Sequence, residues 1–124
     1  MILLVDDDMD FLSQQQLRLE QAGYEVVVAQ SQKQAEELLG SKMPDLVIVD
    51  LMLEHMDGGF ALCHHIKKSS PATPVILVSS VSSRTGINFD ATTDEERSWI
   101  KADVMLTKPV RIEQLCREIE RLTK

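Results

Sequence analysis

Leu46-Val47-Ile48-Val49-Asp50 decides the fold: four apolar residues run without interruption into a carboxylate. A strand wetted on one face alternates apolar and polar residues, whereas an unbroken apolar run suits a strand covered on both faces. The same pattern recurs along the chain. Met1 to Val5 runs into Asp6-Asp7-Asp8, Val75 to Val78 into Ser79-Ser80, and Val104 to Leu106 into Thr107-Lys108-Pro109. A valine-rich run, Tyr24 to Ala29, supplies a fifth strand.

Amphipathic segments fill the intervals. Met9 to Ala22 carries Leu12, Leu19 and Ala22 at helical spacing, with Gly23 as its stop. Ser31-x-x-Gln34 reads as a capping pattern, followed by Ala35, Leu38 and Leu39 and a stop at Gly40. Gly58 and Gly59 read as a turn before a helix over Phe60 to Lys68, with Leu62, Cys63 and Ile66 on its buried face. Thr93-x-x-Glu96 begins a helix that continues to Trp99 and Ile100. Ile112, Leu115, Ile119 and Leu122 form one stripe of the last helix. Five strands alternating with five helices predict an α/β fold, a doubly wound five-stranded parallel sheet with helices on both faces. The expectation is a single domain over residues 1–124, with no output domain within it, no internal repeat and no linker.

Composition narrows the function. At 44% hydrophobic and 27% charged residues, the chain has the make-up of a soluble globular domain. No apolar run approaches the length that spans a bilayer, and the acids after Val5 interrupt any signal-peptide pattern. A net charge of −7 disfavours direct binding to nucleic acid or an anionic membrane. Cys63 and Cys116 lack metal-ligand spacing and read as reduced, partly buried residues. His64 and His65, adjacent on a helix, point in different directions and read as solvated rather than as a shared metal site.

The polar residues fall at the strand ends. Asp6, Asp7, Asp50, Ser79 and Lys108 each close a predicted strand, and in a parallel sheet these ends share one edge, where ligands bind. Asp8 reads as a helix cap. Carboxylates gathered without compensation repel and raise one another's pKa values. A hard divalent cation relieves this, and Mg2+ accepts two or three carboxylates while keeping several waters. One carboxylate is then free to attack phosphorus, with a lysine and a hydroxyl to stabilise the phosphoryl oxygens.

With those residues in view, the chain resembles the receiver domains of bacterial two-component response regulators over essentially its whole length. Ile2 to Asp8 resembles the family's acidic strand end. Val47 to Leu53, closing with Met56-Asp57-Gly58, resembles its phosphoacceptor segment. Pro74 to Ser80 resembles its hydroxyl-bearing strand, and Lys108-Pro109 its lysine–proline pair. The resemblance implies a flavodoxin-like sheet of strand order 2-1-3-4-5. It implies that Asp50 accepts a phosphoryl group from a phosphohistidine of a sensor histidine kinase or phosphotransfer protein, and that slow autodephosphorylation follows. Asp7 would ligate Mg2+ (or Mn2+) directly, Asp6 more loosely, and Asp50 and the backbone carbonyl of Met52 would complete the protein ligands. Ser79 and Lys108 would bind the phosphoryl oxygens. A cytoplasmic signalling domain is implied, controlling an unspecified partner or output domain, with a homodimer on phosphorylation left open.

Some positions depart from the family pattern. Glu54 stands where proline is common, Met105 where an aromatic switch residue is usual, and Val110 where phenylalanine is frequent. The Ser82 to Arg97 segment is long. Met52 and Val81, both apolar, cannot position an attacking water, which predicts a persistent phosphoryl group. Two other functions compete: a pseudo-receiver that docks a partner without phosphorylation, and an aspartyl-phosphate phosphatase. The intact acids, Ser79 and Lys108 count against the first, and the absence of that family's cap domain from residues 1–124 against the second.

Overall fold

A computed structural model of the chain describes residues 1–50, 58–79, 103–108 and 110–123. Five strands, β1 (Ile2–Val5), β2 (Val26–Ala29), β3 (Leu46–Asp50), β4 (Val75–Ser79) and β5 (Val104–Thr107), form one sheet. The order is β2-β1-β3-β4-β5, and every pair is parallel. Among the described residues the helices are α1 (Met9–Gln21), α2 (Gln32–Ser41), α3 (Gly58–Ser69) and α4 (Ile112–Thr123). The helix expected from Thr93 to Ile100 lies outside the described residues, as do Met52, Glu54, Val81, Pro109 and the Ser82 to Arg97 segment.

Alternation along the strands sorts the core into two halves, because successive side chains point to opposite faces. Leu3, Val5, Val47, Val49, Val75 and Leu77 pack with Ala35 and Leu39 of α2 and Leu62, Cys63 and Ile66 of α3. Ile2, Leu4, Leu46, Ile48, Ile76, Val78 and Leu106 pack with Leu12 and Leu19 of α1 and Leu115 and Ile119 of α4. Both faces are thus covered, which is why the strands are apolar throughout.

The helix ends differ in detail from the expectations. Gly23, with φ of 101°, does stop α1, but Ala22 is the exposed cap rather than part of the buried face. Tyr24 still donates its N–H to the Leu19 carbonyl at 3.1 Å, so β2 begins only at Val26. Ser31 caps α2 by accepting from Gln34 N–H at 3.0 Å, while the Gln34 side chain reaches back to the Gln30 N–H at 2.7 Å. Gly40 does not end α2. The helix runs through it to Ser41, and the extended backbone of Lys42 terminates it. Gly58 and Gly59 likewise form the start of α3 rather than a turn. In both places packing of the helix's apolar face outweighs glycine's low helical propensity.

Candidate functional site

Register brings the predicted residues to one edge. Val5 pairs with Ala29 on one side and Val49 on the other, so Asp6 and Asp50 emerge side by side, each one step beyond a paired residue. Asp50 pairs with Val78, and Ser79 with Thr107, which sets Lys108 one step further. Parallel pairing without offset is therefore what gathers residues from both ends of the chain.

Asp6 is 1% exposed and Asp50 7%, whereas Asp7 faces solvent. One carboxylate oxygen from each of the three lies within 4.8 Å of the others. Asp6 Oδ1 accepts the Asp8 N–H at 2.9 Å, and Asp6 Oδ2 accepts from Lys108 Nζ at 2.8 Å. Burial pushes the Asp6 carboxyl above its ordinary value of 3.8, against the opposing pull of the Lys108 hydrogen bond, the Asp8 amide and the Lys108 charge, while the neighbouring Asp7 charge adds to the rise. Asp8 caps α1 as expected, accepting from Asp10 N–H at 3.0 Å and Phe11 N–H at 3.3 Å.

Compact oxygen donors of this kind suit a hard divalent cation better than a thiolate- or imidazole-seeking metal. Among the described residues, these three acids are the one group with metal-ligand spacing. His64 and His65 are exposed and take no part in it, although His65 Nδ1 lies 4.0 Å from Glu36 Oε1. Neither cysteine forms a disulfide: Cys63 is buried, its thiol pushed up to about 11 by burial, and Cys116 is half-buried.

The family model for the response regulator receiver domain matches residues 2–120. The chain belongs to this family. Response regulator MprA of Mycolicibacterium vanbaalenii is 30% identical over 126 aligned positions, covering 99% of this chain and 50% of that protein. Transcriptional regulatory protein YrkP of Bacillus subtilis is 36% identical over 114, covering 92% of this chain and 45% of that one. The transcriptional regulatory protein GlrR of Escherichia coli shares 42% over 79 positions, 64% of this chain and 18% of that protein. The chain thus spans half or less of these relatives. The solved receiver domain of NtrX from Brucella abortus superposes with a TM-score of 0.83 at 27% identity, covering 99% of this chain and 98% of that one. A CheY-like receiver domain protein from Methanospirillum hungatei superposes at 0.78 and 27%, covering 98% and 91%.

This receiver domain departs from the usual pattern at two described positions. Met105, on β5, points to the face opposite that of Val104 and Leu106 and packs, half-buried, against the α2/α3 half of the core. Val110 is buried in the α1/α4 half. One neighbour of the site escaped the sequence pattern altogether. Lys108 Nζ sits 4.1 Å from the centroid of the Phe11 ring. Phe11 lies in the first turn of the helix capped by Asp8, and that position was the available signal. No helix among the described residues is long and apolar enough to cross a membrane.

Proposed function

We propose that Asp50 is the phosphoacceptor of this receiver domain, taking a phosphoryl group from a phosphohistidine of a sensor histidine kinase or phosphotransfer protein. The observation that carries this is the grouping of Asp6, Asp7 and Asp50 oxygens within 4.8 Å, with Lys108 bonded to Asp6 beside them. An Asp50 oxygen attacks phosphorus as the phosphorus–nitrogen bond breaks, and the histidine nitrogen keeps the electron pair. Asp6, Asp7, Asp50 and the Met52 carbonyl would hold Mg2+ or Mn2+, which would neutralise phosphoryl oxygens otherwise repelled by the acids. Lys108 leaves Asp6 to pair with a phosphoryl oxygen, and the Ser79 hydroxyl binds another.

The domain is a signalling switch, not a metabolic enzyme, and its own residues promote both phosphorylation and slow hydrolysis. With the apolar Met52 and Val81 rather than polar residues at these positions of the sequence, the phosphoryl group persists, so Met52→Asn accelerates its decay. Residues 1–124 act as one receiver unit in the cytoplasm, addressing a protein partner or output domain rather than nucleic acid or membrane. The decisive experiment is incubation with a small acyl phosphate and Mg2+. An acyl phosphate that requires Asp50, formed without turnover of other phosphate esters, is expected. No phosphorylation would favour a pseudo-receiver, and ester turnover a phosphatase.

A further inference from the structure

At the carboxyl edge Lys108 meets partners of two kinds. Its ammonium donates to Asp6 Oδ2 at 2.8 Å and lies 4.1 Å from the centroid of the Phe11 ring. Phe11 is itself held in place. Its N–H donates to the Asp8 cap, and its side chain packs half-buried against the α1/α4 half of the core. The Lys108 side chain is 19% exposed, so water screens the contact only partly.

We propose that Phe11 is a positioning residue for Lys108: its ring face retains the ammonium while that ammonium exchanges the Asp6 carboxylate for an oxygen of the phosphoryl group on Asp50. The inference rests on the phosphoacceptor role given above to Asp50. A lysine that gives up its carboxylate regains the freedom of a long flexible stem, and that freedom is lost again on binding phosphate. The quadrupole of an aromatic ring attracts a cation with little demand on its direction. Phe11 therefore stays in contact with Lys108 while the anion changes. Leucine at position 11 would fill much of the same apolar space without a π face, which separates positioning from packing.

The test compares Phe11→Leu, Phe11→Met and Phe11→Tyr by two readouts. The first is affinity for beryllofluoride, a phosphoryl mimic, in the presence of Mg2+. The second is the NMR ring-current displacement of the Lys108 side-chain protons without any ligand. Phe11→Leu is expected to weaken beryllofluoride binding roughly five-fold and to remove the displacement, with Phe11→Tyr within about two-fold of the parent. Phe11→Met repeats the comparison should the leucine variant fold poorly. Parent-like beryllofluoride affinity in the aliphatic variants, or an unchanged Lys108 displacement in them, overturns the proposal alone. A parent protein that neither binds beryllofluoride nor accepts phosphoryl from an acyl phosphate overturns the Asp50 role and the proposal with it.

Discussion

The two edges of the sheet each carry a lysine–aspartate pair, Lys108–Asp6 at the carboxyl edge and Lys67–Asp103 at the amino edge, at 2.8 and 2.7 Å. Their surroundings differ. Asp103, whose side chain is 34% exposed, also accepts the Val75 N–H at 2.7 Å, and its own N–H donates to the Val75 carbonyl at 2.9 Å. Lys67 donates to the Thr73 carbonyl at 2.8 Å as well. These bonds tie α3 to the starts of β4 and β5, and they satisfy the charges. At the carboxyl edge, the buried Asp6 that meets Lys108 lies in one cluster with two further acids, Asp7 and Asp50. The amino edge uses its pair to close the structure, and the carboxyl edge sets its pair among further carboxylates. The contrast teaches that the distance between ions says less about their role than the remaining partners do.

The comparison breaks most visibly at Asp50. Asp50→Asn is expected to abolish phosphorylation by an acyl phosphate, read as hydroxylamine-sensitive label, while thermal unfolding stays cooperative. Loss of cooperative folding in that variant would mean that the carboxyl edge is structural after all. At the other edge, Asp103→Ala leaves the Val75 N–H without its carboxylate acceptor and deprives Lys67 of its anion. It should lower stability by about 2 kcal/mol in urea titrations, with phosphorylation at Asp50 unchanged under native conditions. Slowed phosphorylation in the folded variant would couple the two edges.

A smaller effect sharpens the contrast through pH. Asp6 has its folded pKa raised by burial, so the fold favours its protonated form. Its contribution to stability is full below the ordinary value of 3.8 and is lost as pH rises through the raised folded value. Asp45, at the amino edge, is shifted the other way by its hydrogen bond to the Met1 ammonium. Its contribution is present above 3.8 and is lost as pH falls through its depressed folded value. Metal-free protein should therefore gain stability from Asp6 on mild acidification, before Asp45 protonates, and Asp6→Asn should remove that gain in unfolding curves taken across pH. At neutral pH, Mg2+ should raise the melting temperature of the parent by binding only the folded state, and less so that of Asp7→Asn. An equal shift in both would place the cation elsewhere.

Unbroken apolar runs ending in Asp6, Asp50, Ser79 and Lys108 were enough, by themselves, to determine a parallel sheet covered on both faces and the candidate residues at its edge. Apolar periodicity is a local property, and the carboxyl ends of the strands follow directly from it. Helix ends were less legible: Gly40 and Gly58–Gly59 carry a breaker's chemistry, but packing of Leu39, Leu62 and Cys63 holds them in helix. Only the tertiary structure decided which charges are satisfied. Whether Asp6 is buried against Lys108, whether Phe11 faces that ammonium, and whether Lys67 rather than another cation meets Asp103 all depend on register between strands far apart in the chain. Coulomb and cation–π energies depend on those distances and on burial, and neither is written in the order of the residues.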